Sequence, residues 1–141
     1  MAPPSAGDYY IKNIASGYFM TADDKDSFLT PVSTIKPTGD LNNKMSFTLR
    51  KGDGEWYCIS ATYSKANVGA PANPQQGSTA IWTRSEVAFR ILDAGEALYN
   101  IHLVGENFFL YDDLLSTQPF HTVLFNKGST ADSAKWMFLD V

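Results

Sequence analysis

The sequence predicts an all-β fold built from three similar units, and two repeated phrases carry this prediction. A Tyr-x-Ile phrase begins at Tyr9, Tyr57 and Tyr99. A second phrase, centred on an aromatic residue, closes each unit and begins at Phe47, Phe89 and Trp136. Both series recur at intervals of roughly 45 residues, which is typical of one supersecondary unit per repeat. We therefore predict repeats at about 7–52, 53–94 and 95–141.

Short runs rich in β-branched and aromatic residues, separated by Gly, Pro, Asn and Asp, indicate strands, and no stretch has sustained helical spacing. The predicted strands of the first unit are 7–13, 18–21, 28–33 and 45–51. Those of the second unit are 55–61, 66–69, 79–83 and 87–92, and those of the third are 98–103, 108–111, 122–125 and 135–141. Twelve short strands in three units of four are typical of a β-trefoil, in which six strands close a barrel and six cap it as hairpins. A β-sandwich is the alternative, but it gives no reason for a threefold repeat.

The repeated phrases are predicted to form the core. Side chains two residues apart on a strand share a face, so Tyr9 and Ile11 point the same way, as do Phe47 and Leu49. Their counterparts in the other units should do likewise. Binding residues are then expected in the loops, where a β scaffold usually carries them.

Length and charge limit the classes of function. The 141 residues suit one domain, here 7–141, preceded by a flexible N-terminus, 1–6, that holds two prolines and no strand pattern. A net charge of −4 argues against a nucleic-acid partner. No apolar run approaches the roughly 20 residues that span a bilayer, so no membrane partner is expected.

The single cysteine, Cys58, cannot form an internal disulfide. The first residues lack the basic and apolar regions of a secretory signal. We therefore expect a cytoplasmic protein, and nothing in the sequence suggests more than a monomer.

Residues suited to catalysis are scarce. His102 and His121 do not have the spacing of zinc ligands, and Cys58 lies within a predicted barrel strand, where a structural thiol is expected. The paired carboxylates at 23–24 and 112–113 could suggest a glycosidase. They follow the second strand of their units at equivalent places, which favours Asp side chains that cap their own backbone in turns. We expect no enzyme, no metal and no cofactor.

The segment 7–17, Gly-Asp-Tyr-Tyr-Ile-Lys-Asn-Ile-Ala-Ser-Gly, is similar to the opening of ricin-B-like mushroom lectins. Those lectins carry a Q-x-W phrase late in their repeats, whereas here Gln is replaced by Met45, Val87 and Ala134. Over its whole length the chain resembles the mushroom β-trefoil serine protease inhibitors of the cospin and cnispin kind. This resemblance implies a fungal defence protein that inhibits trypsin-like proteases through a surface loop.

A lysine in the last long turn is the best candidate for that loop. Trypsin-like enzymes accept Lys or Arg into a pocket with an aspartate at its base. Lys127 has no adjacent acid, and Gly128 allows close approach of another backbone. Asn126 and Ser129 can hydrogen-bond locally and hold the loop in shape. The resemblance supports this assignment, because the last long turn can act as the reactive loop in that family.

Two other loops offer basic residues. Arg84 and Ser85 lie in the equivalent loop of the second unit, with Glu86 as a drawback. Lys25 lies in the turn after the second strand, which cospin-like inhibitors can use, but it is flanked by acidic residues that oppose the protease's own carboxylate. Lys36 precedes Pro37 and cannot be presented as an ordinary scissile bond.

Carbohydrate binding is the alternative function. An aromatic side chain would provide the face for a sugar ring, and the candidates are Trp82, Tyr63, Tyr111 and Trp56. Asp24 or Asp113 would accept hydrogen bonds from the sugar hydroxyls.

Overall fold

The computed structural model describes residues 3–22, 28–116 and 119–141. These residues form twelve strands: β1 (Gly7–Asn13), β2 (Phe19–Thr21), β3 (Ser33–Ile35), β4 (Ser46–Lys51), β5 (Tyr57–Ala61), β6 (Asn67–Gly69), β7 (Ile81–Thr83), β8 (Phe89–Gly95), β9 (Leu98–Leu103), β10 (Phe109–Asp112), β11 (Phe120–Asn126) and β12 (Trp136–Asp140). Single 3₁₀ turns occur at Asn43–Met45 and Asp132–Ala134. In these ranges no helix is long and apolar enough to cross a membrane.

The predicted all-β fold, with four strands in each unit, is confirmed. Strands β1, β4, β5, β8, β9 and β12 pair with one another as the barrel. The remaining strands form the hairpins β2–β3, β6–β7 and β10–β11. The hairpins also contact each other: β11 pairs with β3, and isolated bridges join Pro31 to Ile81 and Thr79 to Leu124. This arrangement is a β-trefoil.

The two repeated phrases meet as cross-strand partners. In the antiparallel ladders, the register places each repeated tyrosine opposite a closing aromatic residue: Tyr9 with Phe47, Tyr57 with Phe89, and Tyr99 with Trp136. All six of these side chains are buried, as are the repeated isoleucines at 11, 59 and 101. The repeat therefore specifies which strands pair and which faces they bury.

The third strand is the clearest difference from the predicted boundaries. It was expected at 28–33, but β3 lies at Ser33–Ile35. Leu29 has a positive φ of 70°, which breaks the extended run, and Pro31 has no N–H to donate to a ladder. This segment instead contacts the second unit through single bonds, such as the one from the Val32 N–H to the Ala80 carbonyl.

The first described residues lie against the barrel tyrosines. The Tyr57 hydroxyl donates to the Pro4 carbonyl at 2.9 Å, and the Tyr9 hydroxyl donates to the Ser5 carbonyl at 2.7 Å. Residues 1 and 2 lie outside the described ranges. A flexible segment 1–6 stays a prediction.

Candidate functional site

The loop that joins β11 to β12 presents the predicted lysine to solvent. We call residues 126–131 the Lys127 loop. Lys127 and Gly128 are exposed, whereas Asn126 and Ser129 are half-buried. Asn126 is the last residue of β11 and pairs with Phe109 of β10, so a ladder supports the loop at its start.

The Tyr111 hydroxyl of β10 holds the tip of this loop. It lies 2.7 Å from the Gly128 carbonyl oxygen and 3.1 Å from the Lys127 carbonyl oxygen, and it donates its single proton between them. Burial raises the pKa of Tyr111, in the direction that favours the protonated, donating phenol. Gly128 has a φ of +90°, a conformation that favours glycine. The loop tip is therefore shaped by a specific side chain and a specific glycine.

Asn100 of β9 joins the Lys127 loop to the 3₁₀ turn that follows it. Its side chain is 6% exposed, and Nδ2 donates to the Ser129 carbonyl at 3.1 Å and to the Ala134 carbonyl at 2.9 Å. Asn13 of β1 adds a bond from its Nδ2 to the Ser133 carbonyl at 2.8 Å. Buried amides on two barrel strands thus fix the return path of the chain.

The second unit also contacts the loop. The Lys127 N–H donates to Oε1 of Gln76 at 2.9 Å. One residue further on, the Gly77 N–H donates to the Phe125 carbonyl at 2.7 Å. Gln76 is exposed, so water or an incoming protein can replace its bond to the Lys127 N–H. The Gly77 N–H instead binds the carbonyl of Phe125, a residue of β11.

Truncation of Asn100 to alanine is expected to lower the free energy of unfolding by roughly 1–3 kcal/mol, because the carbonyls of Ser129 and Ala134 lose their donor. Chemical denaturation followed by tryptophan fluorescence measures the change. Asn73→Ala is the matched control, since Asn73 is an exposed loop residue. Equal denaturation midpoints for both variants would show that the amide of Asn100 does not stabilise the loop.

The second candidate, Arg84, is held by an aromatic ring. Its guanidinium lies 4.1 Å from the centre of the Phe28 ring, a cation–π geometry. Its carbonyl accepts a bond from Asn67 Nδ2 at 3.0 Å, and the Ser85 carbonyl accepts one from the Thr83 hydroxyl at 2.8 Å. The backbone is therefore ordered, but insertion of Arg84 into a protease pocket would first break its contact with Phe28.

Lys25, Asp23 and Asp24 lie outside the described residues. The turn interpretation is confirmed for Asp113, whose side chain accepts bonds from the Leu115 N–H at 3.1 Å and the Ser116 hydroxyl at 3.3 Å. It is wrong for Asp112. That carboxylate is 2% exposed and accepts bonds from side chains distant in sequence rather than from its own turn.

The partners of Asp112 form a buried polar cluster. Its oxygens accept bonds from the Ser16 hydroxyl, the Thr34 hydroxyl at 2.9 Å and His121 Nδ1 at 3.1 Å. The His121 ring stacks on Tyr18 with 4.0 Å between the ring centres. The cluster joins the first and third units and gives His121 a structural role.

Cys58 and His102 also have structural surroundings. Burial raises the pKa of the Cys58 thiol to about 11, and its hydrogen bond to Glu86 acts in the same direction. Burial lowers the pKa of His102, whose ring lies against Phe109. Within the described ranges, no three His, Cys, Asp or Glu side chains are grouped so that they could hold a metal ion.

A separate cleft of about 800 Å³ lies beside the first unit. Its aromatic lining comes from Trp82, which is buried and stacks on Phe47, and from Phe120, which is 47% exposed. Polar side chains also line it: Thr21, Ser33, Lys36, Asp40 and Asn42.

The other aromatic residues considered for sugar binding are placed differently. Trp56 packs its indole over Gly52, at the place where a side chain would otherwise stand. Tyr111 is engaged with the Lys127 loop, while Tyr63 is 53% exposed. Of the four aromatic candidates, Trp82 lies at the cleft.

Solved structures with the same architecture support the fold assignment. The designed threefold-symmetric protein ThreeFoil superposes with a TM-score of 0.84 at 17% identity, covering 95% of this chain and 99% of that one. The Rhizoctonia solani agglutinin gives 0.82 at 22% identity, with 99% and 100% covered. The Macrolepiota procera ricin B-like lectin, solved with lactose, gives 0.83 at 15% identity, with both chains fully covered.

No protein-family model matches the sequence, and no curated protein matches it either. At these identities the structural neighbours define the class of protein as a β-trefoil, whose loops have to be interpreted from their own residues.

Proposed function

We propose that this protein inhibits trypsin-like serine proteases by substrate-like insertion of Lys127 into the specificity pocket. One observation carries the proposal: Lys127 is exposed on a loop whose backbone carbonyls are held by side chains from the scaffold. The resemblance to the cospin and cnispin kind of inhibitor supports the same loop. The proposal includes a protein that acts as a monomer and is not itself an enzyme.

The mechanism depends on a loop that is already ordered. Lys127 would form an ion pair with the aspartate at the base of the protease pocket, and the backbone of Asn126 and Gly128 would hydrogen-bond along the cleft of the enzyme. A loop held in its bound shape loses less conformational entropy on docking. Binding itself requires no covalent change, and the exposed Gln76 can leave the Lys127 N–H when the enzyme takes its place.

The test is a titration of trypsin activity with the wild-type protein, Lys127→Ala and Lys51→Ala. Lys51 is an exposed lysine at the end of β4, so its variant controls for the loss of one positive charge. We expect the wild type and Lys51→Ala to inhibit equally, while Lys127→Ala loses tight inhibition. Equal inhibition by all three proteins would reject Lys127 and leave Arg84 and Lys25 as the next residues to test.

Carbohydrate binding is the second candidate, and the cleft that Trp82 and Phe120 line favours it. An exposed aromatic face, here that of Phe120, together with hydroxyl, amide and charged groups is what a sugar-binding cleft requires. One of the structural neighbours is a lectin solved with lactose. Of the four aromatic residues weighed from the sequence, Trp82 lines the cleft but is only 4% exposed, so Phe120 would provide the face for the sugar ring.

Retention on immobilised galactosides tests this candidate. If the protein binds sugar, the wild type would be retained and eluted by free lactose. Phe120→Ala would not be retained, whereas Leu115→Ala, a change of another exposed apolar residue, would be retained as the wild type is. Flow-through of the wild type would exclude galactoside binding. Because Phe120→Ala and Leu115→Ala both leave Lys127 in place, the trypsin titration and this experiment give independent answers.

A further inference from the structure

We infer that Tyr111 is a positioning residue that makes the Lys127–Gly128 peptide bond resist cleavage by the bound protease. The inference rests on the proposed function, because it concerns the same loop after docking. It begins from the 2.7 Å bond between the Tyr111 hydroxyl and the Gly128 carbonyl oxygen.

A substrate-like inhibitor offers the protease a cleavable bond. The serine oxygen would attack the Lys127 carbonyl carbon, the bond to the Gly128 nitrogen would break, and the serine proton would pass to that nitrogen as it becomes an amine. Water would then release Lys127 as a carboxylic acid and return the proton to the serine. As long as the amine stays next to the acyl carbon, the reverse reaction re-forms the peptide bond.

The structure holds the amine side of the bond in place. The Gly128 carbonyl is bound by Tyr111, and the next carbonyl, that of Ser129, is bound by the buried Asn100. Nδ2 of Asn100 also binds the Ala134 carbonyl, close to where β12 begins. A newly formed Gly128 amine would therefore remain within reach of the acyl group instead of diffusing away.

The acyl side is held independently. Phe125 and Asn126 belong to β11, where Phe125 exchanges backbone bonds with Gly77 and Ser78 of the second unit. The longer contact of Tyr111, 3.1 Å to the Lys127 carbonyl oxygen, is the one that yields when this oxygen enters the oxyanion hole of the protease. The Tyr111 hydroxyl then donates its hydrogen bond to the Gly128 carbonyl alone.

The experiment compares the wild type with Tyr111→Phe and with Tyr63→Phe as a matched control. The first change removes one hydroxyl and keeps the ring on β10, and the second removes the hydroxyl of an exposed tyrosine after β5. Each protein is incubated with catalytic amounts of trypsin. Mass spectrometry follows the cleaved chain, which gains one water at Lys127–Gly128, and a chromogenic substrate follows the return of trypsin activity.

We expect Tyr111→Phe to be cleaved at Lys127–Gly128 about tenfold faster than the wild type, as the loss of one good hydrogen bond suggests. Loss of the same hydrogen bond should weaken inhibition in the first minutes by no more than about tenfold, and Tyr63→Phe should behave as the wild type throughout. A general loosening of the fold would instead expose many lysine and arginine bonds, so cleavage confined to Lys127–Gly128 identifies positioning. Circular dichroism confirms that the variant is folded.

Cleavage of Tyr111→Phe at the wild-type rate, or at scattered sites, would overturn the inference while leaving the function intact, provided that Lys127→Ala still loses inhibition. If the wild type does not inhibit trypsin at all, the proposed function fails and this inference fails with it. The Lys127→Ala titration thus distinguishes the two cases.

Discussion

Replacement of Lys127 by leucine is expected to exchange inhibition of trypsin for inhibition of chymotrypsin-like enzymes. The trypsin pocket ends in an aspartate, whereas the chymotrypsin pocket is an apolar slot. Loss of a central anchor at a protein interface costs roughly 2–5 kcal/mol, or about one and a half to three and a half decades in Kd. The rest of the loop, including Tyr111 and Asn100, is unchanged and keeps its shape.

Inhibition constants against both enzymes, measured for the wild type, Lys127→Leu, Lys127→Arg and Arg84→Leu, test this exchange. Lys127→Arg keeps the charge and should keep trypsin inhibition, and Arg84→Leu should change neither constant, since Arg84 is engaged with Phe28. If Lys127→Leu still inhibits trypsin as the wild type does, the pocket is filled by another residue. A matching loss in Arg84→Leu would then identify that residue.

The fold could be predicted from the sequence because the repeated residues are the ones that pair and pack in the barrel. Each Tyr-x-Ile phrase lies opposite a closing aromatic residue, so the repeat in the sequence predicts the register of the barrel strands. The boundaries of β3 could not be predicted in this way. They depend on the positive φ of Leu29 and on contacts with Trp82 and Ala80 from another unit.

The candidate site was predictable at its tip but not in its support. Lys127 and Gly128 follow from local sequence, whereas Gln76 reaches the loop from 51 residues away in the chain. Asn100 had one detectable signal: it occupies the middle of the Tyr-x-Ile phrase, where the other units have Tyr10 and Cys58. An amide at that position in only one repeat indicates a local hydrogen-bonding role. Here the amide holds the segment that leads from the Lys127 loop to β12.

The burial of Asp112 could not be predicted from its local sequence. Its place after a second strand suggested a turn residue, yet the turn is made by its neighbour Asp113, and Asp112 points inward. Its donors Ser16 and Thr34 come from the first unit. Burial of a carboxylate with such partners depends on how the units close, which no local pattern records.

Trp136→Ala is expected to destabilise the protein more than any other single truncation considered, because it removes a closing aromatic residue that the barrel buries completely. Trp136 is 0% exposed, lies opposite both Asn13 and Tyr99, and donates from Nε1 to the Leu110 carbonyl at 3.0 Å. Truncation of a buried aromatic residue costs roughly 3–5 kcal/mol, and the orphaned carbonyl adds about 1–3 kcal/mol. Because domains of this kind are stable by about 5–15 kcal/mol, the variant should lose a large share of its stability.

Denaturant unfolding of Trp136→Ala, Trp136→Phe and Trp56→Ala separates the contributions. Trp136→Phe keeps most of the ring volume and removes the donor, so it should show mainly the hydrogen-bond cost. Trp56 is half-buried over Gly52, so its truncation should cost much less. A loss below about 1 kcal/mol for Trp136→Ala would contradict a core closed by the repeated aromatic residues. A loss in the expected range, shared only in part by Trp136→Phe, would show that filled volume, more than the indole hydrogen bond, makes this position an aromatic one.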